Sequence, residues 1–155
     1  MDIKIDQDGF SFNVRSSCII MDKKHENVLL TSMRAIVDHD AYLLPGGRVE
    51  MQENSYEAVA REIQEELGLS LEYQLVSIEE NIVKETHFQM LEFVFYAEVD
   101  NFNNIIKLNN GWDNFIVIKI KEIDNYDIRP RSIVSLIKDN CYNNIKHHIN
   151  YDWGE

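Results

Sequence analysis

The chain has 155 residues and a formal net charge of −12, with 45% apolar and 27% charged residues. That is the length of one ordinary domain and the composition of a globular protein, not a disordered or fibrous one. The charge excludes a nucleic-acid backbone or an anionic membrane surface as the expected partner, since both are bound by an excess of Lys and Arg, but not a small polyphosphate whose charge a divalent cation offsets.

No apolar run approaches the ~20 residues that span a bilayer. The start, Met1 to Asp6, lacks the basic and apolar stretches of an export signal. Cys18 and Cys141 fit no metal spacing and read as reduced thiols, so the expected location is the cytoplasm. With no repeat, low-complexity block or linker, residues 1–155 read as a single domain.

In chain order, Phe10 to Met21 is apolar and β-branched and predicts a strand, with Asp22 to Asn27 as a polar turn and Val28 to Thr31 as the return arm. Ala41 to Leu44 predicts a third strand, ended by Pro45-Gly46-Gly47, which is not expected to continue a ladder. Asn54 to Leu67 predicts a helix. Asn54 and Glu57 suit a capping box, Gly68 suits the C-terminal stop, and Tyr56, Val59, Ala60, Ile63 and Leu67 share the expected core face. Leu71 to Lys84 and His87 to Val99 predict two long strands. Phe115 to Lys121 predicts a strand with one buried face, and Ser132 to Lys138 a second amphipathic helix. Asn143 to Glu155 is a polar tail without an assigned structure. Strands outnumber helices without a repeating βαβ order, which implies a mixed α/β sheet covered by helices.

The acidic stretch carries the chemistry. At about 100° per residue, Glu62, Glu65 and Glu66 fall within a wedge of roughly 100° on the helix. Carboxylates crowded at this spacing repel one another by a few tenths of a kcal/mol per pair. A hard cation such as Mg²⁺ or Mn²⁺ would relieve that repulsion. A solvated helix face, with Arg61 paired to Glu57 or Glu65, is the alternative reading.

The spacing extends beyond the helix. Gly47, five residues, Glu53, seven residues, Arg61-Glu62, an aliphatic Ile63, one residue, Glu65-Glu66, one residue, Gly68 and an aliphatic Leu69 together resemble the Nudix box. The resemblance implies an α/β/α sandwich with the box as a loop–helix–loop, and water attack on a diphosphate bond of a nucleoside diphosphate derivative. It implies that Glu62, Glu65, Glu66 and the carbonyl of Gly47 hold Mg²⁺, which Mn²⁺ can replace. It also implies that Arg61, partnered by Glu53, orients the catalytic glutamates, with Glu62 or Glu65 as a catalytic group and Glu92, Glu98 or Asp113 as a base outside the box. Arg34, Tyr42 and His87 are candidate substrate contacts. Phe88, Phe93, Phe95 and Tyr96 read as core residues or as a stacking surface for a base, and His147-His148 as a tail feature.

The substrate linkage is read outside the box. Glu85-Thr86-His87 stands where some subfamilies carry Pro or Tyr, which disfavours the ADP-ribose and diadenosine classes. Residues 29–34 resemble only in part the segment upstream of the box in coenzyme A pyrophosphatases. A small nucleotide such as a nucleoside triphosphate, in the manner of MutT-like members, is expected. A nucleotide-sensing module, or a coenzyme A, nucleotide-sugar or RNA-cap pyrophosphatase, is the alternative. Arg129-Pro130-Arg131 is a local basic patch that stands against the exclusion of RNA, and homodimerisation is frequent in the family.

Overall fold

The computed structural model describes residues 1–33, 39–103, 105, 114–140 and 142–154. Among these, nine strands form one mixed sheet. The central strand is β2 (Phe10–Asp22), which runs parallel to β7 (Phe88–Val99) from Ser11↔Phe88 to Asp22↔Val99. β6 (Gln74–Val83) pairs antiparallel with β7, and β9 (Lys146–Tyr151) lies parallel to β6. The other side of β2 is shared by β1 (Lys4–Gln7), β5 (Gly46–Arg48) and β3 (Asn27–Ser32). β3 in turn pairs with β4 (Tyr42–Leu43) and β8 (Phe115–Lys119).

The alternation of side chains along β2 builds the layers. Cys18 and Ile20 join Val59, Ile63 and Leu67 of helix α1 (Ser55–Leu67) on one face. Ile19 and Met21 join Ile133, Leu136 and Ile137 of helix α2 (Ser132–Asp139) on the other. Because successive strand residues point to opposite faces, the two helices sandwich the sheet. No helix among the described residues is long and apolar enough to cross a membrane.

Local chemistry explains the joints. The Asp22 carboxylate accepts from the backbone N–H groups of Glu26 and Asn27 at 2.8 and 3.2 Å and from Asn27 Nδ2 at 2.7 Å, closing the turn between β2 and β3. Asn54 caps α1 by accepting from Glu57 N at 2.9 Å, while Glu57 Oε2 accepts from Asn54 N at 2.9 Å. Gly68 ends the helix at φ 67°.

Several expectations differ from the fold. Tyr56 is 46% exposed, its ring meeting Tyr73 and Phe95 edge-on, and Ala58 takes a core position on α1 instead. β8 buries both faces partly, Ile116 and Ile118 toward α2 and Phe115 and Val117 toward α1, because it pairs inside the sheet with β3. Residues 120–125 turn into a 3-10 helix. The polar tail supplies the edge strand β9 and a turn at Asp152–Gly154.

The glycine turn does continue the ladder. Gly46 and Gly47 pair with Ser17 and Ser16 of β2, and a β-carbon at Gly46 would overlap the Ser16 carbonyl. Gly46 also holds φ 150°, a conformation few other residues adopt. Its chain therefore approaches β2 only as glycine, which brings the start of the acidic stretch onto the sheet. Gly46→Ala should cost roughly 2–4 kcal/mol, because both overlap and backbone strain must be relieved. Gly68→Ala, with open space around it, should cost about 1–2 kcal/mol from backbone strain alone. Urea unfolding of both variants checks the order; equal losses would mean that close approach at Gly46 is not the constraint.

Candidate active site

The loop at β5 and the outer face of α1 meet at one guanidinium. Arg61 donates from Nε to Glu53 Oε2 at 3.1 Å and from Nη2 to Glu53 Oε1 at 2.7 Å, a bidentate fork. It also donates from Nη1 to Glu62 Oε1 at 2.8 Å and from Nη2 to the Arg48 carbonyl at 3.0 Å. Glu53 Oε1 in turn accepts from Glu50 N at 2.8 Å. The Arg61 fork is the main reason the Glu53 carboxyl sits below its usual pKa, and Glu53 in turn raises that of Arg61. A rigid five-donor plane can satisfy two carboxylates and a carbonyl together, which Lys cannot.

Glu62 is pressed onto the loop: a β-carbon at Gly47 would overlap its carboxyl carbon and both oxygens. Glu65 is the outermost acid, 60% exposed at its side chain and 3.4 Å from Arg61. Glu66 keeps solvent access, yet the protein packed about its carboxyl group and then the Glu62 carboxylate push its pKa up to about 7. Arg61 thus engages Glu53 most fully and leaves an excess of negative charge at Glu62, Glu65 and Glu66.

That donor set is all oxygen, and glycine at position 47 leaves the Glu62 carboxylate flush with the loop backbone. Both features suit a hard divalent cation. Among the described residues no three His, Cys, Asp or Glu side chains converge closely enough to hold an ion alone. Mg²⁺ is compatible with this, because it keeps several waters and takes substrate phosphates with one or two carboxylates.

A cleft of about 760 Å³ opens on the α2 face of the sheet, lined by Arg15, Arg48, Phe88, Glu92 and Arg129 among others. Arg48 follows Gly47 directly, and Arg15 stabilises the ionised forms of both Glu66 and Glu92. The cleft and the acidic helix face are therefore adjoining parts of one site. Arg15 also donates to the Leu44 carbonyl at 2.8 Å.

The structure brings Gly47, Glu53, Arg61, Glu62, Glu65 and Glu66 together, while Glu92 lies in the lining of the cleft. Glu92 is buried and accepts from Ser17 Oγ at 2.7 Å, and burial raises its pKa. Glu98 lies at the far end of β7, bonded to Tyr96 and His25 at 2.7 and 2.8 Å. Tyr42 packs against Tyr126 and the α2-side core, and only its neighbour Leu43 reaches the cleft. His87, at φ 53°, stacks on Phe10 at 4.6 Å in a neighbouring hollow that shares Ser11, Val83 and Phe88 with the cleft. Arg34 and Asp113 lie outside the described residues. Of the aromatics on β7, Phe95 is buried, Phe93 and Tyr96 pack on the core, and Phe88 lines the cleft. His147 and His148 pair with Glu80 and Glu79. Sequence reasoning missed Arg15 and Asn13. Their signal was present, as polar residues two apart within a strand that reads as buried.

The comparisons with known proteins bear on the family and the fold. The model of the NUDIX domain matches residues 12–133. A NUDIX hydrolase from Nitrosomonas europaea superposes with TM-score 0.63 at 24% identity, covering 83% of this chain and 87% of that one. A MutT protein from Bacillus halodurans gives TM-score 0.63 at 19% identity over 90% and 89%. A MutT protein from Methanosarcina mazei gives 0.63 at 18% over 87% and 98%. At these identities the structural likeness establishes the fold.

The Arg61–Glu53 fork has a measurable pH signature. The folded pKa of Glu53 is depressed, so its contribution is full above the ordinary carboxylate value and fades as pH falls through the lower folded value. Glu53→Gln should cost about 1–3 kcal/mol near pH 7. The difference from the parent should begin to shrink as pH drops below about 4 and be lost below the depressed folded value. Urea titrations between pH 3 and 7 test this, and a pH-independent difference would contradict it.

Proposed function

The chain belongs to the Nudix family and is a Nudix pyrophosphohydrolase, and from that premise we propose that it uses a divalent metal ion to cleave a small nucleotide, most simply a nucleoside triphosphate. The observation that carries the reading is the Glu62 carboxylate seated on Gly47 and held by Arg61, beside Glu65 and Glu66, which the arginine leaves largely unneutralised.

Glu62, Glu65 and Glu66, with the carbonyl of Gly47, are the residues that would hold the ion. When bound, Mg²⁺ or Mn²⁺ supplies charge neutralisation for the diphosphate and lowers the pKa of a coordinated water. The chain's own residues then divide the work. Arg61 fixes the Glu62 carboxylate at the loop, with Glu53 fixing Arg61 in turn. A Glu62 oxygen takes the proton of the attacking water as that water's oxygen bonds to phosphorus. The bridging phosphorus–oxygen bond breaks, and the displaced phosphate leaves with its electron pair. Arg15 and Arg48 at the mouth of the cleft bind phosphate oxygens and orient the chain of phosphates. Glu92, buried against Ser17, keeps the Arg15 charge in place. A small partner is favoured because a long nucleic acid would extend beyond the cleft over a chain of net charge −12.

The test is hydrolysis of nucleoside triphosphates, nucleotide sugars, ADP-ribose, dinucleotides and coenzyme A with Mg²⁺ or with chelator. Triphosphate turnover is expected to stop with chelator and to fall at least about a hundredfold in Glu62→Gln. Arg61→Lys, which cannot reproduce the fork, should lose about 10–100-fold. If the panel is untouched while a nucleotide still raises Tm, the hydrolytic reading fails and a nucleotide sensor replaces it.

A further inference from the structure

We propose that the outer edge of β9 is the contact for a second copy of this chain. The two β9 strands pair antiparallel about a two-fold axis at Ile149 and join the two sheets into one.

β9 is the last strand of the sheet beyond β6. It pairs with β6 on one side, and among the described residues no strand pairs with the other. An open edge presents backbone N–H and C=O groups to any strand that approaches, and single chains usually blunt it with proline, a bulge or inward-pointing charge. β9 contains no proline, and its register against β6 runs without a shift from Lys146 to Tyr151.

Its side chains divide by face. On the α2 side, His148 lies 2.8 Å from Glu79 Oε2, and Asn150 Nδ2 donates to Asn81 Oδ1 at 3.1 Å. Those residues tie the strand inward to β6. On the α1 side, Ile149 is 56% and Tyr151 52% exposed, and Ile145 just before the strand is exposed as well. Apolar side chains beside an open edge mark a surface that association would cover.

The sequence of the strand argues for a copy of itself as the occupant. Rotation about an axis normal to the sheet keeps each side chain on its own face, so the axis passes through a residue, not between two. With the axis at Ile149, that residue meets its own counterpart, His147 meets Tyr151 and His148 meets Asn150. Lys146 then meets Asp152, once at each end of the pairing, and opposite charges placed across strands attract. Asp152 is held there by accepting from the Lys84 N–H at 3.2 Å through Oδ1. Moving the axis to His148 would set Lys146 against Asn150 and lose both ion pairs. The net charge of −12 opposes association of two copies in general. The carboxylates that β6 sets beside β9 are nevertheless already engaged, Glu80 with His147 at 2.7 Å and Glu79 with His148 and Ser132.

The test follows the full chain by sedimentation equilibrium between about 1 and 100 µM, with amide exchange measured at both ends of that range. A monomer–dimer equilibrium is expected, with slower exchange of the β9 amides in the concentrated sample. Ile149→Lys should weaken association at least about tenfold with an unchanged circular dichroism spectrum. Ile5→Lys, at a comparably exposed apolar position on β1, should leave association as it is. Lys146→Glu should weaken it too, by an amount that shrinks at high salt. Oxidation should link two copies of Ile149→Cys beyond the level seen for the parent. A chain that stays monomeric throughout overturns the second copy and leaves the edge to a strand of another protein. A dimer that Ile149→Lys does not weaken, or association that continues past two copies, overturns the interface. Ile149→Cys that links no more than the parent overturns the register.

Discussion

Arg61 is the point on which the site depends. Its guanidinium joins three parts of the chain that share no continuous secondary structure: the Glu53 loop, the Arg48 carbonyl at the end of β5, and Glu62 on α1. Without that fork, three acids on one helix face would repel each other and the loop. With it, one carboxylate is consumed structurally and the others stay available. Glycine completes the arrangement, since Gly46 lets the loop pair with β2 and Gly47 leaves room for the Glu62 carboxylate.

The sheet distributes two kinds of surface from the same strands. Toward the α2 core, β2 presents Ile19 and Met21; earlier on the same face it presents Asn13, Arg15 and Ser17. The registers align these with Met90 and Glu92 of β7, then Glu79 and Asn81 of β6, then His148 and Asn150 of β9. Buried charge in such a stripe is tolerable only with partners. Glu79, fully buried, has them: Ser132 donates to it at 2.9 Å and His148 lies at 2.8 Å. The stripe thus ends the apolar core and forms the polar floor on which a cleft opens.

Much of this was legible in the sequence where chemistry is local. The capping pair Asn54 and Glu57, the stop at Gly68 and the grouping of Glu62, Glu65 and Glu66 each depend on residues within one helix. The long strands and the mixed α/β class followed from periodicity. What was hidden depends on partners distant along the chain. The pairing of Gly46 and Gly47 is driven by the absence of side chains, which no hydrophobic pattern records. β9 reads as a polar tail because Lys146, His147 and Asn150 mask a strand whose partners lie about seventy residues earlier in β6. Tyr42 and His87, chosen for residue type near the box, face other neighbours.

The charge of the whole chain and the charge of the site point in opposite directions, and distance resolves this. At physiological ionic strength charges are screened over about 8 Å, so an approaching anion responds to nearby groups rather than to the total of −12. Arg15, Arg48 and Arg129 line the cleft, while the uncompensated acids sit at its border on α1. The lining also carries Glu85, Glu92 and Asp152, so a polyphosphate finds its attraction at the guanidinium groups of Arg15 and Arg48 and meets further carboxylates on α1, where it must be cut. The acids repel it there unless a cation intervenes, which couples substrate binding to the occupancy of the acidic face. An acidic chain whose cleft mixes arginines with carboxylates therefore favours the metal-complexed form of its ligand over the free anion.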